Sequence, residues 1–175
     1  PPLVTFSGVA VGYAPDTPVL GALDLRLDPD DRVALLGANG NGKSTFAKLL
    51  AGELKPMAGD IFRAPKLRVG YFAQHQIDTL DAGESAFQHL GRLMAKSPPH
   101  QVRARLGAFG FSQDKADVAA RDLSGGEKAR LNLAMISYRA PQILVLDEPT
   151  NHLDLETRES LVQALNAFAG AVVVI

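Results

Sequence analysis

Apolar positions along the chain repeat with two different periods, and the changes of period outline the fold. Near the start the period is two. Leu3 to Val11 and Val19 to Leu27 alternate, with Leu23, Leu25 and Leu27 on one face and the turn-rich Ala14-Pro15-Asp16-Thr17-Pro18 between the two runs. This pattern predicts strands. Arg32 to Leu36 predicts a short apolar strand running into Gly37, and a helix follows from Lys43, with Phe46, Leu49 and Leu50 on one face and Gly52 near its end. Ile61-Phe62 and Leu67 to Phe72 predict two further strands.

In the middle the period lengthens. Phe87, Leu90, Leu93 and Met94 mark one amphipathic helix, and Val102, Leu106 and Phe109 mark another beyond Ser97-Pro98-Pro99. A third helix, from about Gly126 to Arg139, carries Leu131, Ala134, Met135 and Tyr138 on one face. The end returns to alternation of element types: strand Ile143 to Leu146, helix Glu156 to Phe168, strand Ala171 to Ile175. Strand, helix, strand in that order implies parallel pairing through helical crossovers. The expected class is α/β: a mostly parallel sheet flanked by helices, an N-terminal antiparallel β part, and a helical insertion over about 75–140. No internal repeat is present.

Composition narrows the functional classes. The 175 residues fit one domain. Cysteine is absent, which removes disulfide frameworks, thiol nucleophiles and cysteine-based zinc sites. Eighteen basic against nineteen acidic residues leave a net charge of −1, with no strong electrostatic footprint for nucleic acid or anionic lipid, and DNA is not expected as a partner. The longest uncharged stretch, Ser160 to Ile175, is too short and too polar to span a bilayer. A cytoplasmic setting without membrane insertion is expected. The chain opens on Pro1-Pro2 and closes inside the β-branched run Ala171 to Ile175, so a longer parent, cut inside a core strand, is expected.

Two motifs carry chemistry. Gly37-Ala38-Asn39-Gly40-Asn41-Gly42-Lys43-Ser44 fits the phosphate-loop pattern, with Thr45 after it, between a predicted strand and a predicted helix. Its glycines let successive N–H groups face a phosphate, Lys43 can reach the β- and γ-phosphates, and the Ser44 hydroxyl can ligate Mg²⁺. The helix adds its positive dipole end to the same site. The other reading is a glycine-rich turn that merely caps a helix, but a chance match is rare and this one sits between strand and helix as phosphate binding demands. Ile143 to Glu148 is an apolar strand ending in two acids. Asp147 is placed to hold Mg²⁺ through its water shell, and Glu148 to polarise an attacking water. Solvated acids at a strand end are common, and only the pairing with the phosphate loop lifts these two above that reading.

Leu123-Ser124-Gly125-Gly126-Glu127-Lys128 reads first as a capping box, with Ser124 as N-cap and Glu127 three residues on. That explains the serine and the glutamate but not the glycine pair, since each glycine costs about 1 kcal/mol against alanine in a helix. Two in the first turn make sense if something approaches the backbone closely, and free N–H groups at a helix start suit a phosphate.

Taken in order, these stretches resemble an ABC ATPase domain over nearly the whole chain, on a P-loop NTPase core. Gly37 to Thr45 resembles its P-loop, Gln74 within Tyr71-Phe72-Ala73-Gln74 its Q-loop, and Leu123 to Glu127 its signature. Asp147-Glu148 resembles its Walker B pair, and Asn151-His152-Leu153-Asp154 its D-loop. The resemblance implies ATP and Mg²⁺ as ligands and a head-to-tail sandwich with a second such domain. Each ATP then lies between one P-loop, here including Gly37, Asn39, Gly40, Asn41, Gly42, Lys43, Ser44 and Thr45, and the facing signature residues Ser124, Gly125, Gly126 and Glu127. It further implies Tyr13 as the aromatic against adenine, with a plain loop aromatic as the other reading. Lys43, Gln74 and Glu148 are the implied catalytic residues, Ser44, Gln74 and Asp147 the metal ligands, and Asp154 a D-loop contact that can also act as an N-cap. His75 and His152 are not expected as ligands, and the family's switch histidine falls beyond Ile175.

Asp147 to Asp154, Tyr71 to Gln76 and Ser124 to Arg130 are most similar to the second domain of ABC-F proteins, which implies the ribosome as partner. The motor of a membrane transporter is the alternative, and more often carries Ser-Ala-Leu-Asp where this chain has Asn151 to Asp154. DNA-repair and chromosome ATPases of the superfamily separate the motifs by long coiled coils or zinc modules. Here Lys43 and Asp147 are separated by neither heptads nor cysteines.

Overall fold

A computed structural model describes residues 1–175 apart from Asn39, Asn41, Thr150, Asn151 and His152, and apart from the side chains of Gln74 and Ser160. The chain divides into two compact units. The first comprises Pro1–Tyr71, Pro141–Asp147 and Ala169–Ile175, the second Phe72–Ala140 and Glu148–Phe168.

The first unit opens with strands β1 (Val4–Val11) and β2 (Leu20–Leu27), then β3 (Arg32–Ala34), helix α1 (Lys43–Ala51) and strand β4 (Ala58–Arg63). The antiparallel sheet runs β2-β1-β4, with Phe6 opposite Leu25 on one side and Ile61 on the other. A second sheet runs β3-β7-β6-β5, where β5 is Val69–Ala73, β6 is Ile143–Asp147 and β7 is Ala171–Val174. β3 pairs parallel to β7, and β7 parallel to β6. Four of the five residues of β6 are buried, as expected of a strand covered on both faces. The expected class therefore holds: a parallel β core and an N-terminal antiparallel sheet.

α1 is the element that ties this unit together. Phe46, Leu49 and Leu50 enter one apolar cluster with Val4, Phe6 and Val9 of β1, Ile143 and Val145 of β6, and Val173 of β7. Phe6 and Phe46 meet edge to face, their ring centres 6.0 Å apart. The helix ends at Gly52 in the left-handed conformation, whose N–H bonds back to Leu49 and Lys48. The Arg63 guanidinium, from β4, donates to the carbonyls of Leu49 and Leu50 and satisfies the helix end.

The second unit holds α2 (Gln74–Asp78), α3 (Ala86–Leu93), α4 (Pro99–Ala108), α5 (Gln113–Ala116), the 3₁₀ turn Ala120–Asp122, α6 (Gly125–Tyr138) and α7 (Leu155–Ala167). Leu90, Met94, Val102, Leu106, Phe111 and Leu131 form its apolar centre. α2, α5 and the 3₁₀ turn are not visible in the hydrophobic pattern, because elements of three to five residues are shorter than the period that would reveal them. The strand predicted to Leu36 ends at Ala34, and Leu36 is 92% exposed.

Candidate functional site

The parallel register sets the geometry of the first unit's site. Ala34 and Leu146 both stand level with Val174 of the intervening strand β7. The chain therefore leaves β3 toward Gly37, and leaves β6 at Asp147, from one edge of the sheet. Two strand spacings, about 10 Å, separate the two exits. Ligands of open α/β sheets bind at this carboxyl edge.

Between β3 and α1, Gly40 and Gly42 have φ of +87° and +85°, a region that side-chain-bearing residues rarely adopt. Gly42 is the N-cap of α1, with no side-chain cap and no acid in the first turn. The N–H groups of the first turn have no intrahelical acceptor and point toward the loop. The Lys43 ammonium arches back to donate to the Gly37 carbonyl at 2.7 Å. An ammonium has three donors, so this bond leaves capacity for phosphate oxygens. Ser44 is exposed, and Thr45 is buried with its Oγ1 3.2 Å from the Tyr13 hydroxyl. Tyr13 is 59% exposed, and the Lys48 ammonium lies 5.4 Å from its ring centre. Asn39 and Asn41 lie outside the described residues.

Asp147 closes β6, and its Oδ2 accepts a 2.7 Å hydrogen bond from the Tyr71 hydroxyl on neighbouring β5. Burial, reinforced by this carboxylate, pushes the Tyr71 phenol well above its ordinary range. In the sequence Tyr71 stands out only as the first residue of the stretch that ends at Gln74. Its role depends on which strands are neighbours, which no local pattern reports. A hydroxyl such as that of Ser44 and a carboxylate such as that of Asp147 are hard oxygen donors, the chemistry Mg²⁺ takes. Among the described residues no group of three or more His, Asp or Glu is arranged to hold a metal.

The second unit carries the remaining candidates. Glu148 has φ +48°, an uncommon conformation for a residue with a side chain. Gln74 heads α2, with its side chain outside the described residues. At α6 the capping box is complete: Ser124 Oγ accepts from Glu127 N–H at 3.1 Å, and Glu127 Oε1 accepts from Ser124 N–H at 2.9 Å. Lys115 pairs with Glu127 at 3.1 Å. Burial works to raise the Glu127 carboxyl, but the hydrogen bonds from Ser124 and Lys115 outweigh it and hold the group below its ordinary value.

The two glycines of this turn differ. A Cβ at Gly125 would meet nothing within 4 Å, whereas one at Gly126 would run into the Thr157 side chain, 2.9 Å from Cγ2 and 3.0 Å from Cβ. Close approach to Gly126 thus already comes from within the chain. Asp154 is the N-cap of α7, its Oδ1 accepting from Thr157 N–H at 2.8 Å. Hydrogen bonding to Thr157 and the nearby Arg130 charge lower its pKa. Asn151 and His152, between Glu148 and Asp154, lie outside the described residues. No helix among the described residues is long and apolar enough to cross a membrane.

Residues 20–151 match the ABC transporter family. The chain is 51% identical over 174 residues to the probable ATP-binding protein YheS of Escherichia coli strain K12, covering 99% of this chain and 27% of that one. It is 47% identical over 171 residues to a probable ATP-binding cassette sub-family F member 3 homolog of Encephalitozoon cuniculi, covering 98% of this chain and 30% of that one. The chain therefore spans less than a third of the length of these curated relatives. Among solved structures it superposes with a TM-score of 0.82 on cbiO1 from Clostridium perfringens, part of the ABC transporter complex cbiONQ. The identity there is 24%, over 99% of this chain and 77% of that one.

Proposed function

Starting from the fact that the chain belongs to the ABC transporter family, with ABC-F proteins among its relatives, we propose that it binds Mg²⁺-ATP and hydrolyses it once paired with a second such domain. The observation that carries this reading is the phosphate loop. Left-handed glycines, an arched Lys43 and an uncapped nine-residue helix meet at the carboxyl edge of a parallel sheet. Gly42 leaves the helix start without a side-chain cap, and Lys43 sits where like partial charges gather, an arrangement that suits an anion.

In this reading the loop amides and Lys43 hold the β- and γ-phosphates, while Tyr13 offers its exposed ring to the base. Ser44, Asp147 and Gln74 hold Mg²⁺, which when bound draws charge off the phosphate oxygens. Glu148 orients and polarises the attacking water. Ser124, Gly125, Gly126 and Glu127 belong to the nucleotide of the facing domain and complete its electrostatic cage only on docking, with Asp154 beside them. The chain alone is then a poor hydrolase, because it presents its signature turn to a neighbour's nucleotide. The ABC-F likeness of Asp147 to Asp154 and of the relatives favours the ribosome as the object that the paired domains engage in a cytoplasmic role.

The test is sedimentation of the chain, in its full natural context, carrying Glu148→Gln. Slowed hydrolysis should hold the closed state, so that the variant co-sediments with ribosomes in ATP and not without it. ATP-independent pelleting, or pelleting with membranes alone, would transfer the reading to a transporter motor.

A further inference from the structure

We infer that the Tyr71 hydroxyl is a positioning residue that fixes the Asp147 carboxylate for the divalent cation of the nucleotide site. This rests on the proposed role of Asp147. The ring and the hydroxyl of Tyr71 do separate work. The ring packs at the edge of the first unit's apolar cluster, while the hydroxyl reaches across from β5 to Asp147 Oδ2 at 2.7 Å on adjacent β6. A phenol keeps its proton at neutral pH and a carboxylate can only accept, so the direction of the bond is set. Rotation of an aspartate carboxylate about its last bond is soft, with broad minima. One short bond to Oδ2 removes that freedom and leaves Oδ1 as the oxygen offered to the water shell of a cation. Outer-shell partners of this kind orient metal ligands, and their loss typically weakens metal binding about 10–100-fold. Because Asp147 acts through water, the low end of that range applies.

The experiment compares wild type, Tyr71→Phe and Asp147→Asn by ATP titration in excess Mg²⁺ and in EDTA. Phenylalanine keeps the packed ring and deletes only the donor. Tyr71→Phe is expected to bind ATP in EDTA as wild type does, and to lose roughly 10-fold of the gain that Mg²⁺ confers. It should also need more Mg²⁺ to reach half of that gain. A purely structural role would lower both affinities together. Full retention of the Mg²⁺ gain in Tyr71→Phe, with loss in Asp147→Asn, would overturn the inference and leave the proposed site standing. Retention in Asp147→Asn as well would instead remove Asp147 from the metal site. If Tyr71→Phe does not fold, 3-fluorotyrosine labelling of the wild-type chain, which has only three tyrosines, gives the answer by ¹⁹F NMR. The Tyr71 resonance should move on addition of Mg²⁺-ATP in wild type and stay fixed in Asp147→Asn. An unmoved wild-type resonance would refute the coupling.

Discussion

Adding one methyl group at each of the two adjacent glycines of the Ser124 turn should have opposite results. Gly125→Ala places its Cβ in open space, so only helix propensity changes, a gain of up to about 1 kcal/mol. Gly126→Ala gains the same propensity but drives its Cβ against Thr157, with the Thr157 Cβ itself only 3.0 Å away. Rotating Thr157 about χ1 cycles its hydroxyl, methyl and hydrogen through three positions but leaves that Cβ where it is, so rotation alone does not remove the close approach. Relief needs a shift of the α7 backbone, and Thr157 N–H is already committed to Asp154 at 2.8 Å. Overpacking of this sort costs about 1–3 kcal/mol. Net of propensity, Gly126→Ala should lose up to about 2 kcal/mol. For a chain of this length that is a fall of up to roughly 8 °C in melting temperature, against no fall for Gly125→Ala. Thermal unfolding followed by far-UV circular dichroism reads both. Thr157→Ala in the Gly126→Ala background should restore part of the loss. If the two alanine variants melt together, or Thr157→Ala restores nothing, the packing argument is wrong, and Gly126 would be kept for a ligand alone.

Three further outcomes are expected. Lys43→Ala should weaken ATP binding by removing the charge that faces the phosphates, and an unchanged affinity in a titration would displace the site from this loop. Because Glu127 is held below its ordinary value of 4.5, its capping and pairing stabilise the fold above that value and are lost as pH falls through the lowered one. Ser124→Ala should therefore cost about 1 kcal/mol near neutrality and flatten the acid limb of a stability-against-pH curve, measured by denaturant melts. Glu148→Gly and Glu148→Gln both delete the carboxylate, yet the glycine variant should be the more stable by up to about 1 kcal/mol, since only glycine adopts φ +48° without strain. Equal stabilities would show that the conformation stores nothing.

The sequence was legible where one residue's neighbours along the chain decide its fate. The three-to-four spacing of Leu131, Ala134 and Tyr138 and the Ser124–Glu127 capping box are local, and each appears as expected, whereas the strand expected over Leu3 to Val11 forms with its alternation broken by a register shift between Phe6 and Val9. The β3 boundary was missed because Leu35 and Leu36 are apolar, and apolarity says nothing about where pairing stops. The last link is the Leu35 N–H to the Val174 carbonyl at 2.8 Å, beyond which the chain turns into the glycine loop. Tyr71 and Thr157 were out of reach for another reason. Their partners are 76 and 31 positions away, and both contacts exist only because of the order in which strands and helices pack.

The contact between Gly126 and Thr157 also bears on the order in which the two positions can change. A lineage that first replaced Gly126 by a larger residue would carry a misfitting helix until position 157 shrank, whereas one that first replaced Thr157 by alanine would pass through an unstrained intermediate. Change on α7 before change on α6 is therefore the route with the lower cost in stability. Position 125, one residue away and equally a glycine, is free of that precedence.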